Sequence, residues 1–174
     1  LGALSAGVSL RGWGAGWGGA RRAAGADIVL RVTSDCPLID PALCATVLRR
    51  RADDEADYAT NNFVHGYPHG LDCEAFTRAA LEAAAARATE SYDREHVTPW
   101  IRNNPGYRKA SVEGPGGPQA KWRWTLDYPE DLDFLRALFR YLPQPPAMPS
   151  WQQIAALVEQ HPELTEINAL RRQR

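Results

Sequence analysis

Cysteine is scarce in this chain, and its three copies, Cys36, Cys44 and Cys73, form no C-x-x-C pair. An odd number at wide spacing argues against a disulfide framework and a zinc knuckle. No apolar run approaches the ~18 residues of a membrane span, so no span is expected. Neither sign of charge is in excess. The 20 Lys and Arg face 21 Asp and Glu, for a net charge of −1, which excludes a broadly basic nucleic-acid binder. A G-x-S-x-G elbow and a P-loop lysine motif are both missing. What is present is ordinary for one globular domain: 174 residues, 44% hydrophobic and 24% charged.

Acidic residues are missing from residues 1–26, which hold eight of the 14 glycines, together with Trp13, Trp17, Arg11, Arg21 and Arg22. Position 1 is Leu, so the chain is expected to begin inside a longer reading frame. Residues 1–24 are expected to be disordered or mistranslated, and residues 25–174 to form one α/β domain. Within the first segment Gly14, Gly16 and Gly19 spell G-x-G-x-x-G, with Asp35 some way on. That spacing suits a dinucleotide-dependent oxidoreductase. The context does not: LSAGVSLRGW is a poor strand, too few residues follow for a crossover helix, and Trp17 would crowd the close backbone approach.

From Asp27 the pattern becomes regular. DIVLRVT (27–33) reads as a buried, parallel strand. Asp40-Pro41 starts a helix, with Leu43, Cys44, Val47 and Leu48 on one face and Arg49, Arg50 and Arg51 at its end. DYATN (57–61) is a second strand, completing a βαβ unit. LDCEAF (71–76) alternates as a half-exposed strand would. Thr77 caps an alanine-rich helix, and residues 91–104 form two helical pieces restarted at Thr98-Pro99. RKASV (108–112) and KWRWTLD (121–127) read as strands. Residues 129–142 form a helix with a stripe of Leu132, Leu135, Leu138, Phe139 and Leu142. Ser150 with Gln153 is a capping box, and Leu164, Ile167 and Leu170 suggest a last short helix. Strands 27–33, 57–61 and 121–127 are expected in one sheet, with helices 41–51 and 129–142 on it.

Ligands of open α/β sheets bind outside the carboxyl ends of the strands. Asp35 and Asp127 fall at two such ends, where a carboxylate pair suits one Mg²⁺. The plainer alternative is that each serves its own turn or helix start. Like charges that close would raise the pKa of one of them. Asp72 and Glu74 share a strand face, preceded by His65 and His69 in a loop. Glu95-His96 is a candidate acid/base or substrate-orienting pair, or else a surface helix turn. Trp122 and Trp124 are expected in the core.

TSDCPLID, DYATNN, HGLDCEAF, REHVTPWIRNNP, WRWTLDYPEDL and PELTEIN together resemble the spore-coat polysaccharide cytidylyltransferase family. That family is related to the acylneuraminate and 3-deoxy-manno-octulosonate cytidylyltransferases. The resemblance runs from about Gly25 to about Leu170. It implies a Rossmann-like, glycosyltransferase-A-type α/β sheet with helices on both faces, incomplete at its amino terminus. It implies transfer of CMP from CTP to an acidic or related sugar, with pyrophosphate released, in a cytoplasmic protein of surface polysaccharide synthesis. Asp35 and Asp127 match the family's Mg²⁺ ligands, while Asp72, Glu74, Glu95 and His96 would lie near the sugar. The family's R-x-x-S-x-R-L-P-G-K loop has no counterpart in residues 1–26, and a frameshift would account for that text. With Arg11, Arg21 and Arg22 as the nearby cations, residues 1–174 alone are expected to turn over CTP negligibly. A non-catalytic sugar-binding or interaction remnant is the competing reading. An open sheet edge would favour association, with a homodimer as the candidate.

Overall fold

The computed structural model describes residues 26–96, 98–143 and 148–171, apart from the side chains of Arg94 and Glu95. Residues 1–24 and their glycine fingerprint lie outside the described residues. Four strands form one sheet: β1 (Ile28–Arg31), β2 (Tyr58–Thr60), β3 (Glu74–Thr77) and β4 (Lys109–Ser111). Their order is β1-β3-β2-β4, with β3 antiparallel to both neighbours and β2 parallel to β4. The helices are α1 (Pro41–Asp53), α2 (Arg78–Arg87), α3 (Ser91–His96), α4 (Pro99–Asn103), α5 (Pro129–Phe139), α6 (Trp151–Gln160) and α7 (Glu163–Ile167).

Local chemistry places most helix starts. The Asp40 carboxylate accepts from Ala42 N at 2.6 Å and Leu43 N at 3.2 Å. It also accepts from Trp151 N at 2.8 Å, so one buried acid serves the first turns of both α1 and α6. Thr77 caps α2 through Ala80 N at 3.1 Å. Ser150 and Gln153 form the reciprocal box at α6.

Both sheet faces are covered. Cys44 and Val47 of α1 pack on Ala56, Ala59, Cys73, Ala75 and Ala110, small side chains that let the helix sit close. On the other face Tyr58 and Phe76 meet Ala80, Leu81 and Ala84 of α2 and Ile101 of α4. A third cluster joins Leu38, Leu43, Leu71 and Trp124 to α5, α6 and α7 through Phe134, Leu138, Ile154, Val158 and Leu164.

Several sequence expectations need correction. The 27–33 strand is not parallel to its partner; β1 pairs antiparallel with β3, and its side chains are only partly covered. The βαβ unit holds in strand direction, but β3 inserts between its two strands. β3 is not half exposed. Glu74, Ala75 and Phe76 are all buried because helices cover both faces, so its alternation separates two interiors. Residues 121–127 form no strand of this sheet. They run extended after a 3₁₀ turn and make one bridge, Arg123 to His69. α5 accordingly packs on α7 and the third cluster rather than on the sheet. Its buried face is Asp131, Phe134, Leu135 and Leu138, whereas Leu132 and Phe139 are exposed. In the tail Leu164 is buried, but Leu170 is 92% exposed and Asn168 takes the inward place.

Gly70 makes the bridge possible. Its φ is +112°, and an added Cβ would lie 2.6 Å from Trp124 C and Thr125 N. His69 N donates to Trp122 O at 2.9 Å and Trp124 N to His69 O at 2.7 Å. Gly70→Ala is therefore expected to cost about 1–3 kcal/mol. Urea denaturation of the two proteins checks the figure.

Candidate functional site

The carboxyl ends of β1 and β2 open onto a cavity of about 320 Å³. Arg31 and Thr33 follow from β1, Asn62 from β2, and Asp72 and Glu74 from the entry to β3. His96 at the end of α3, Thr98 between the helices and Arg102 of α4 complete the wall. Asp72, Glu74 and His96 thus line one cavity. The side chain of Glu95 lies outside the described residues.

Glu74 is only 9% exposed, and both its oxygens are engaged. Oε1 accepts from the Tyr58 hydroxyl and from the Thr98 hydroxyl at 2.8 Å, while Oε2 pairs with Arg31 Nη1 at 2.6 Å. Burial first, then the Glu74 charge, pushes the Tyr58 phenol far above its usual range, so it remains a donor. Tyr58→Phe removes one donor to a buried charged acceptor. It is expected to cost about 1.5–3 kcal/mol, measurable by urea titration.

Asp35 lies just beyond β1, and Asp127 just before α5. Their loops are stitched together. Leu126 N donates to Asp35 O at 2.8 Å, and the Thr125 hydroxyl lies 3.1 Å from both the carbonyl and Oδ2 of Asp35. Burial works to raise the Asp35 pKa. Hydrogen bonds from Thr33, its own amide and Thr125, with the charge of His69, outweigh it and hold the carboxyl below its usual value. The upward shift expected from paired carboxylates is not what Asp35 shows. His69 Nε2 is 3.9 Å from Asp72 Oδ2, and Asp72 links this acidic corner to the cavity.

Asp127 Oδ2 is held by Arg123 Nη2 at 2.5 Å. Arg123 is 3% exposed and also grips Asp131, which is fully buried: Nε lies 2.9 Å from Oδ1 and Nη2 2.9 Å from Oδ2. Asp131 Oδ2 further accepts from the amides of Asp127 and Tyr128, each at 3.0 Å. Asn168 Nδ2 reaches Arg123 O and Asp131 Oδ1, both at 3.0 Å. Burial alone would lower the Arg123 pKa, but Asp131 and Asp127 raise it, so the guanidinium stays charged.

Arg31, Arg102, Arg123 and the buried Asp131 are not among the residues the sequence singles out. Arg31 and Arg102 put two cations on the cavity wall itself, so Arg11, Arg21 and Arg22 are not the only candidates. WRWTLDYPEDL and PELTEIN contained the signal for Arg123, Asp131 and Asn168, but only their spatial meeting explains it.

The carboxylates of Asp35 and Asp127 are hard oxygen donors of the type Mg²⁺ takes. Among the described residues no group of three or more His, Cys, Asp and Glu could hold a metal. A cation there would complete its shell from water or phosphate, a coordination Mg²⁺ tolerates well.

A sequence profile of the cytidylyltransferase family matches residues 20–165. The chain is 29% identical over 139 residues to the spore coat polysaccharide biosynthesis protein SpsF of Bacillus subtilis, covering 78% of this chain and 56% of that protein. It is 31% identical over 151 residues to an uncharacterized protein of Methanocaldococcus jannaschii, covering 85% and 60%. The chain thus spans less than two thirds of the length of these relatives. A cytidylyltransferase structure from Leptospira borgpetersenii superposes with a TM-score of 0.78 at 24% identity, over 86% of this chain and 63% of the other. That likeness establishes the shared fold.

Proposed function

We propose, from the premise that the chain belongs to the cytidylyltransferase family, that its site serves transfer of CMP from CTP to a sugar with release of pyrophosphate, with negligible turnover by residues 1–174 alone. Surface polysaccharide synthesis is the process this reading serves, in the cytoplasm. The observation that carries it is the junction of two features beyond the carboxyl end of β1. The Asp35 and Asp127 loops meet there, and Asp72 connects them to a polar cavity of about 320 Å³, at the small end of ligand pockets and suited to one sugar ring.

In this reading a sugar hydroxyl attacks the α-phosphorus. One O–P bond forms, the bond to the β-phosphate oxygen breaks, and pyrophosphate carries away the negative charge. The cavity wall orients the hydroxyl, which matters more than base strength for in-line transfer. In the same reading His96, which lines that cavity, takes up the hydroxyl proton through its ring. Arg123 keeps Asp127 aimed while Thr125 and Thr33 keep Asp35 ionised. Asp35 and Asp127 would hold Mg²⁺, which when bound neutralises charge on phosphate oxygens.

No described helix is long and apolar enough to cross a membrane. A homodimer stays part of this proposal. Calorimetric titration with CTP, UTP, ATP and GTP, with and without Mg²⁺, tests the reading. CTP is expected to bind selectively and with Mg²⁺ dependence, and Asp35→Asn to weaken it about tenfold or more. Pyrophosphate release with added sugars would separate turnover from binding by a non-catalytic remnant. Equal affinity for all four nucleotides, or none for CTP, would overturn it.

A further inference from the structure

The three cysteines are free and buried, and two of them meet. Cys44 lies near the start of α1 and Cys73 immediately precedes β3, in the layer where α1 packs on the sheet. That layer is otherwise built of Val47 and the small Ala56, Ala59, Ala75 and Ala110. Cα atoms of α1 and β3 come within 8 Å of one another, near the separation of about 5–7 Å that a disulfide spans. The two thiols hydrogen-bond to each other. The Cys73 backbone is fixed on its other side: its amide donates to Asn61 Oδ1 at 2.9 Å, and its carbonyl accepts the Thr60 hydroxyl at 2.9 Å. The hydrogen bond from Cys73 holds the Cys44 thiol below its usual range, against burial and the Asp40 charge. The same bond, burial, and the charges of Cys44, Asp72 and Glu74 push the Cys73 thiol up. Cys44 is therefore the thiolate of the pair and Cys73 the partner that keeps its proton. Cys44 also has the larger opening to solvent, 7% against 1%. Cys36 stands apart: its Sγ lies 3.2 Å from the Thr33 hydroxyl, and burial above all pushes its thiol up to about 11.

We infer that Cys44 and Cys73 form a reversible dithiol–disulfide site, oxidised by hydroperoxides, that fastens α1 to the segment carrying Asp72 and Glu74. The inference is independent of the cytidylyltransferase reading, and neither fails with the other. The Cys44 thiolate attacks one peroxide oxygen, the O–O bond breaks, and the departing oxygen takes a proton and leaves as water or an alcohol. The Cys73 sulfur then attacks the Cys44 sulfenic acid. An S–S bond forms, the S–O bond breaks, and the oxygen leaves with the Cys73 proton as water. Two thiols lose two electrons in all, and the O–O bond receives them. A thiol reductant reverses the step by exchange through a mixed disulfide. The closed loop runs from residue 44 to residue 73 and encloses β2 and most of α1.

The test treats the whole chain, first reduced, with a small molar excess of hydrogen peroxide. Thiols counted afterwards in denaturant are expected to fall from three to one, and the mass to fall by two hydrogens. Trypsin without reductant should leave residues 32–49 joined to residues 52–78, and dithiothreitol should separate them. Because residues 32–49 hold both Cys36 and Cys44, Cys36→Ser is run alongside and is expected to lose both of its thiols. Cys73→Ala is expected to stop at a Cys44 sulfenic acid that dimedone traps, and Cys44→Ala to leave the Cys73 thiol unmodified. The oxidised chain is expected to melt about 5 °C above the reduced one, because the bond closes a long loop in the unfolded state. Thiols that persist in the folded chain, added oxygen without a cross-link, a bond between two chains, or an oxidised form that melts no higher would each overturn the inference. The unsubstituted chain gives the thiol count, the mass and the melting shift by itself, so the outcome does not depend on any variant folding.

Discussion

Asp131→Ala is expected to lower folding stability by about 3–5 kcal/mol, because it strands a buried guanidinium. Arg123 is 3% exposed and loses its two-point partner, while the amides of Asp127 and Tyr128 lose their acceptor. Asn168 loses one of its two acceptors as well. Equilibrium urea unfolding gives the magnitude, and an unchanged midpoint would refute the role. The pH dependence has a definite sign. Burial works to raise the Asp131 pKa, but Arg123, the amides of Asp127 and Tyr128, and Asn168 together lower it. A depressed folded-state pKa contributes stability that is fully present above the unfolded value of about 4 and is lost as pH falls through the folded one. Asp131→Asn should therefore flatten the acid limb of the stability profile below about pH 4 and leave its slope near neutrality unaltered.

Trp124→Ala should cost about 3–5 kcal/mol, through lost packing and the cavity left behind. Trp124 is fully buried among Leu38, Leu71, Phe134 and Leu138, and its ring stacks on Trp122 at 5.9 Å between centroids. Trp124→Phe is the informative companion. The indole Nε1 is buried with no hydrogen-bond partner among the described residues. Phenylalanine keeps most of the apolar contact and removes a donor that gains nothing. Its cost should fall below about 1.5 kcal/mol, within the range of tolerated apolar swaps. A Phe variant as unstable as the Ala variant, by thermal and urea unfolding, would mean that the indole nitrogen does have a partner.

Helix positions were legible because their signals are local. Asp40-Pro41, Thr77, Thr98-Pro99 and Ser150 with Gln153 each declare a start within a few residues, and every one begins a helix. Strand direction and exposure were not legible. Each of the four strands has a neighbour far away in sequence, and a strand covered on both faces keeps no polar side to betray it. KWRWTLD misled because Trp122 and Trp124 alternate for a different reason: they pack into the helical layer. Asp131 carries no local sign of its burial, because a first-turn acid is already explained by the helix dipole. Nothing local shows that Arg123 and Asn168 converge on it. Asp35 was readable as an acid beyond a strand end, whereas Asp127 follows no strand of the sheet, and which of Arg31 and Arg102 pairs with Glu74 is set only by the fold.

The position of β3 sets the order in which this protein is able to assemble during synthesis. β1 and β2 never pair with each other; each is hydrogen-bonded to β3. A ribosome that has released both strands has therefore produced two apolar segments with no ladder between them, and the sheet waits for residues 74–77. The Arg123–Asp131 pair waits longer still, because its clamp is Asn168, near the end of the described chain. Nascent chains halted between Phe139 and Asn168 would carry a sheet with an unclamped site. They are the forms in which chaperone engagement and protease cleavage should concentrate.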